Sequence, residues 1–180
     1  MAESGKLREA AADRADAAIV DQGRPGGALS RQLWDVEFAL TVTDNAFQRW
    51  IVRCMAAAGC EGLSAVDVMV LHAINRRAPS RNVSDITLLL GIEDSRPVSY
   101  AIKKLESKGL VQSRRRGKEK IFSATAEGAA LCERYIKVRE RFLVDRLDLS
   151  SRDREALEQA FRILMKVSSA YGHAARAVIT

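Results

Sequence analysis

Arg96, Ser99, Tyr100 and Lys103 fall at intervals that place them on one face of a helix, and that face could read a nucleic acid. Val98, Ala101, Ile102 and Leu105 occupy the opposite face at i, i+3, i+4 and i+7, the spacing of a buried stripe. Ser95 opens the segment, and Pro97 sits in its first turn, where a missing N–H costs nothing. A guanidinium such as Arg96 can donate two parallel hydrogen bonds to the edge of guanine. Ser99 and Tyr100 can bond base edges or phosphate, and Lys103 and Lys104, further along, are expected at the phosphate backbone. A second cluster follows. Arg114, Arg115, Arg116, Lys118 and Lys120 crowd around Gly117. Residues 95–120 hold nine Lys or Arg against two acids, an excess larger than the +6 of the whole chain. Positive charge confined to one helix and one hairpin is the footprint of a phosphate-binding surface. A basic hairpin also protects a sheet edge from pairing, but five cations in seven residues exceed that need.

The elements that must position these residues are legible on either side. A short apolar-patterned helix stops at Gly91, and a second runs from Ser95 to Lys108 before Gly109. Two β-prone runs, Leu110–Ser113 and Ile121–Ala124, are joined by the basic tip, with Gly117 giving the turn. Residues 83–124 therefore read as a complete winged helix-turn-helix. Upstream, Ser30 is the expected N-cap of a long helix to about Ala58. Leu33, Val36, Leu40, Phe47, Ile51, Cys54 and Met55 share one face of it, with Trp34, Phe38, Val42 and Trp50 beside them. So wide an apolar girth predicts burial on more than one side. Thr41–Asn45, a run of poor helix formers, must be held by tertiary contacts or bend.

Ser64 with Asp67 predicts a capping box at the next helix, with Val66, Val70, Leu71 and Ile74 buried and Pro79 as its end. Thr125 caps a helix expected to run to about Leu147, and Ser150 with Asp153 caps the last. Leu157, Phe161, Leu164 and Tyr171 repeat at the spacing by which helix pairs bury a seam. The fold class is mainly α with a small β-hairpin wing, a winged helix-turn-helix flanked by long dimerisation helices. Residues 1–29 form a flexible leader, 30–60 an N-terminal dimerisation helix, 61–125 the DNA-binding domain and 126–180 the C-terminal dimerisation helices.

Composition removes several function classes. Cys54, Cys60 and Cys132 are an odd set without a Cys-x-x-Cys pair, which suggests neither a disulfide framework nor a zinc site. His72 and His173 lie in unrelated segments. No phosphate loop or nucleophile–base arrangement is recognisable, so neither an enzyme nor a cofactor or metal is expected. No run of about 18 apolar residues exists to span a membrane. The acid-containing N-terminus lacks the apolar core of a secretory signal, so the expected location is the cytoplasm.

Residues 33–147 resemble the MarR family of bacterial winged-helix regulators. The likeness is carried by Ser84-DITLLLGI-Glu93, by Ser95–Gly109 with its Lys104-LESKG-Leu110 ending, and by Ala124-TAEG-Ala129 after the wing. The tip Arg115-Arg-Gly-Lys118 departs from the Asp-x-Arg of many family wings. The resemblance implies a homodimer that presents two winged helices to a pseudo-palindromic operator in double-stranded DNA. It also implies release by a small phenolic or amphipathic effector bound between the dimer and DNA-binding regions. Trp34, Phe38, Thr41, Asn45 and His72, which mix aromatic and polar groups near that junction, are the candidate effector contacts, though each is also a natural packing residue. Three other readings stand beside a regulator of this kind. A thiol sensor would use Cys60, the loop cysteine. A protein-assembly module would have little use for a basic wing. An architectural DNA binder would not need the mixed Ser/Tyr/Arg face.

Overall fold

The computed structural model describes residues 27–76 and 81–179. Among the described residues, six α-helices, one 3-10 turn and one hairpin follow in order: α1 (Ala28–Ala57), α2 (Ala65–Asn75), α3 (Val83–Leu90), α4 (Ser95–Ser107), β1 (Val111–Arg116), β2 (Glu119–Ala124), α5 (Ala126–Phe142), the 3-10 turn at Val144–Arg146, and α6 (Ser151–Ala177). The winged helix-turn-helix is α2–α3–α4 closed by the hairpin. The leader assigned to residues 1–29 lies largely outside the described residues, as does Pro79. α2 already ends at Asn75.

Capping explains most of the helix starts. Ser64 and Asp67 form the expected box at α2, and Ser150 and Asp153 form another at α6. The hydroxyl of Thr125 accepts the N–H of Gly128 at α5. Asn82 and Asp85 make a third box at α3. Ser30 is not the cap of α1. It lies inside α1, whose N-cap is Gly27 with no side-chain bond, so the helix starts earlier and without a side-chain cap. α1 runs unbroken through the Thr41–Asn45 segment. Thr41 donates its hydroxyl to the Glu37 carbonyl (3.0 Å) and Gln48 donates to Asp44 (2.6 Å), so bonds along the helix itself satisfy the polar side chains.

One core joins α1, α2, α3, α4, α5 and the hairpin. Leu71, Ile86, Val98, Leu105 and Leu131 are buried at its centre. Ile51, Cys54 and Met55 bring in only the C-terminal third of α1. The expected burial of α1 on several sides is not met within the single chain: Trp34, Phe38, Val42 and Phe47 are exposed. α6 has no buried residue. One tie to α1 is the Tyr171 hydroxyl, which donates to Glu37 Oε1 at 2.9 Å.

The wing is longer than its β-prone runs. Its strands pair from Val111↔Ala124 out to Arg116↔Glu119, leaving Gly117 and Lys118 as a two-residue turn. Gly117 has φ 63°, at the first central position, where glycine alone is unstrained. Glycine is also required at 128. A Cβ there would run into the carbonyl of Leu110, so the start of α5 presses against the start of the wing. Thr125 completes that junction. Its N–H donates to the Leu110 carbonyl (3.0 Å) and its hydroxyl to the Gly109 carbonyl (2.7 Å).

Candidate nucleic-acid interface

α4 is positioned by its buried stripe. Val98, Ala101, Ile102 and Leu105 are buried against the core, as their spacing requires, and their burial turns the polar face outward. Ser95, Arg96, Tyr100 and Lys103 are exposed and Ser99 is half-buried. Asp94 caps the helix by accepting the Arg96 N–H at 2.9 Å. The same carboxylate also holds the Arg96 side chain, with Nε 2.7 Å from Oδ2. In this state Arg96 is therefore an oriented, partly neutralised cation and not a bare one. Its side chain is 81 % exposed, so a stronger acceptor can reach it. The Lys103 ammonium lies 5.9 Å from the centre of the Tyr100 ring, a pairing that aligns both along the outer face.

Lys104 takes a different direction from its neighbour. Its ammonium is 2.7 Å from Asp67 Oδ2, across the α2–α4 contact, and only 41 % of its side chain is exposed. Burial pushes the Asp67 carboxyl up, but hydrogen bonds from Lys104 and Ser64 outweigh that and hold it below its ordinary value. Asp67 was readable as a capping residue. Its partner 37 residues away was not, because sequence periodicity carries no information on which faces meet.

On the wing, residues 112–120 are all exposed. Arg115 and Lys120 are cross-strand partners, so they share one face, and Arg116 pairs with Glu119 on the other. Lys120 is engaged at the wing's base. It lies 3.3 Å from Glu106 of α4 and 5.1 Å from the centre of the Phe122 ring. Arg114, Arg115, Arg116 and Lys118 form the outer part of the hairpin.

Behind this surface is a cavity of about 220 Å3 between α1, α2, α3 and α5. Phe47, Met69, His72, Leu89 and Tyr135 are among its walls, with Arg76 at the edge. Of the five effector candidates only His72 lines it. Trp34, Phe38, Thr41 and Asn45 lie earlier on α1, outside this cavity. Phe47 and Tyr135 were missed as wall residues. Each sits in an apolar helical repeat, which marks a face and not a cavity. His72 and Tyr135 meet edge to face with centroids 4.5 Å apart. His72 Nε2 is buried and receives no hydrogen bond from the described residues. Burial keeps the imidazole pKa below its ordinary value and pushes the Tyr135 phenol up to about 12.

Cys54 and Cys132 do not resemble sensor thiols. Burial pushes Cys54 up and raises Cys132 to about 11, the opposite of an activated thiolate. Cys60 is half-buried. Among the described residues no cluster of three His, Cys, Asp or Glu could hold a metal, and no helix is long and apolar enough to cross a membrane.

Residues 63–128 match a family model described as a winged helix DNA-binding domain. No curated protein sequence matches the chain. Among solved structures it is similar to a MarR-family transcription regulator, with a TM-score of 0.65 at 13 % identity, covering 79 % of this chain and 94 % of that one. It is similar as well to the transcriptional repressor CouR bound to a 23-mer DNA duplex (TM-score 0.61, 23 % identity, 78 % and 99 % covered). CouR from Rhodococcus jostii RHA1 bound to p-coumaroyl-CoA gives a TM-score of 0.57 at 18 % identity, with 74 % and 92 % covered. With α2–α3–α4 and the hairpin inside the matched region and the long helices aligned around it, the chain is a winged-helix protein with the fold of the MarR-family transcription regulators.

Proposed function

We propose that the protein is a cytoplasmic, homodimeric transcription regulator that reads double-stranded DNA, and that it acts as a repressor. The observation that carries this is the pairing of an outward polar helix face (Ser95, Arg96, Ser99, Tyr100, Lys103) with an exposed cationic hairpin (Arg114, Arg115, Arg116, Lys118) on one winged domain. In this reading α4 enters the major groove and the wing follows the adjacent minor groove. Residues 61–125 read DNA, while α1, α5 and α6 join two copies, so that a pseudo-palindromic operator meets two domains.

The cavity beside His72 and Tyr135 is the proposed effector site. Apolar walls with one imidazole and one guanidinium at the edge suit a small aromatic or amphipathic molecule. One relative of this fold is found on DNA and with an aromatic acyl-CoA, which supports the pairing of the two functions.

The test is to select bound sequences from a random DNA pool and titrate the winner beside a scrambled duplex at two salt concentrations. A regulator binds the selected duplex at least about 1000-fold more tightly at physiological salt. Equal affinity for both duplexes shows an architectural binder, and no binding to either shows an assembly module.

A further inference from the structure

Lys104 and Lys103 are adjacent on α4 and face different partners. Lys103 leans over Tyr100 on the outer face, whereas Lys104 reaches back to Asp67 in the first turn of α2. Asp67 is a stiff anchor. Its Oδ2 accepts both the Lys104 ammonium and the Ser64 N–H, each at 2.7 Å, while its own N–H donates to Ser64 Oγ at 3.3 Å. The Asp67 side chain is only 7 % exposed. A carboxylate so enclosed does not give up its counter-cation without leaving a buried charge uncompensated.

We propose that Lys104 is a positioning residue and not a phosphate contact: held by Asp67, it sets the rotation and height of the recognition helix on α2, and so decides which outer side chains meet the bases. The apolar contacts of Val98, Ala101, Ile102 and Leu105 set how closely α4 approaches the core, but such contacts are non-directional. A charge-assisted hydrogen bond between α2 and α4 adds the missing directional constraint. α2 carries a second duty. Val68, Met69, His72 and Ala73, which follow Asp67 on the same helix, line the cavity. A molecule that displaces α2 from the cavity side therefore moves the anchor of α4 as well. This inference rests on the DNA-reading function proposed above.

The experiment titrates the full chain with its selected duplex and with a scrambled duplex across a salt series. The variants are Lys103→Gln, Lys104→Gln, Lys104→Arg and the double Asp67→Asn/Lys104→Gln. Lys103→Gln is expected to flatten the slope of log affinity against log salt by up to about 2 units per dimer. Lys104→Gln is expected to leave that slope unchanged but to cut the preference for the selected duplex by about 10-fold or more, the scale of one misplaced base contact. Lys104→Arg, which can keep the bond to Asp67, is expected to retain the preference. If Lys104→Gln does not fold, the double variant, which leaves no lone buried charge, is read by the same criteria. A slope that falls in Lys104→Gln as far as in Lys103→Gln, or a preference that survives it intact, overturns the proposal. A wild-type chain that binds neither duplex overturns the function on which it rests, and that outcome is distinct from both.

Discussion

Leu71, Ile86 and Leu105 of the winged body are fully buried, while Leu157, Phe161 and Leu164 of α6 stand 55 %, 66 % and 40 % exposed. Both sets are apolar residues of amphipathic helices. In the body α2, α3 and α4 converge on one another and on α5 and the hairpin, so each stripe finds a neighbour in the same chain. α6 has no buried residue and α1 has none before Ile51, so much of these stripes remains open. An amphipathic pattern thus shows that a face will be covered and is silent on what covers it. Open aromatic and aliphatic stripes of this extent mark an association surface, which is why the proposed assembly is a pair of chains.

The sharpest way to break the comparison is to cut into both stripes. Leu105→Ala removes a side chain with no exposed surface, and its expected cost is about 2–5 kcal/mol of unfolding free energy, read by urea denaturation. Phe161→Asp removes one that the single chain leaves mostly uncovered. Its expected effect is on association: a loss of about 2 kcal/mol or more, or roughly 30-fold in the dimer dissociation constant, seen by sedimentation velocity. The urea transition of the winged body is expected to move little. Unfolding of the body by Phe161→Asp, with association intact, would mean that α6 packs within its own chain.

The same division governs what was legible in the residues alone. The helix-turn-helix, its buried stripe and the boxes at Ser64 and Ser150 are local patterns, and each is present. Ser30 as a cap was a plausible residue in the wrong turn, because α1 continues two residues upstream without needing a side-chain acceptor. The cavity was only partly legible. His72 stands out in the sequence among aromatic and polar groups near the junction of the two regions, whereas Phe47 and Tyr135 enter by the crossing of α1, α2 and α5, which no single helical repeat encodes. Lys104 is expected at the phosphate backbone from the sequence, and in the folded chain its ammonium pairs with the Asp67 carboxylate.

His72 offers a smaller effect at the boundary between the two regions. Burial lowers its folded-state pKa from the ordinary 6.5, so the unfolded chain binds more protons below that point. Stability from the neutral imidazole is fully present above pH 6.5 and falls as the pH drops through the window just beneath it. The slope is at most about 1.4 kcal/mol per pH unit for one group. Asp67 and Asp153, whose pKa values are lowered, titrate well below this window and leave it clear. In His72→Phe the slope between pH 5 and 6.5 is expected to vanish in thermal melts. A slope that survives would have to come from groups other than His72.

The wing should give the smallest effect on folding and a large one on binding. Arg115 and Arg116 lie beyond the buried base formed by Val111, Ile121 and Phe122, so neutralising both to Gln should change thermal stability by about 0.5 kcal/mol or less. On DNA the double variant loses up to two cations per subunit and four per dimer. The slope of log affinity against log salt is therefore expected to flatten by up to roughly 3–4 units. Adjacent strand residues point to opposite faces of the hairpin, so Arg115 leaves beside Lys120 and Arg116 beside Glu119. A ribbon lying along a minor groove has a phosphate strand on either side, and each face then meets one of them. The loss is accordingly expected to divide between the two single variants, each giving about half of the double. If Arg115→Gln or Arg116→Gln alone reproduces the whole change and the other none, one arginine enters the groove by itself and the two-sided wing is wrong.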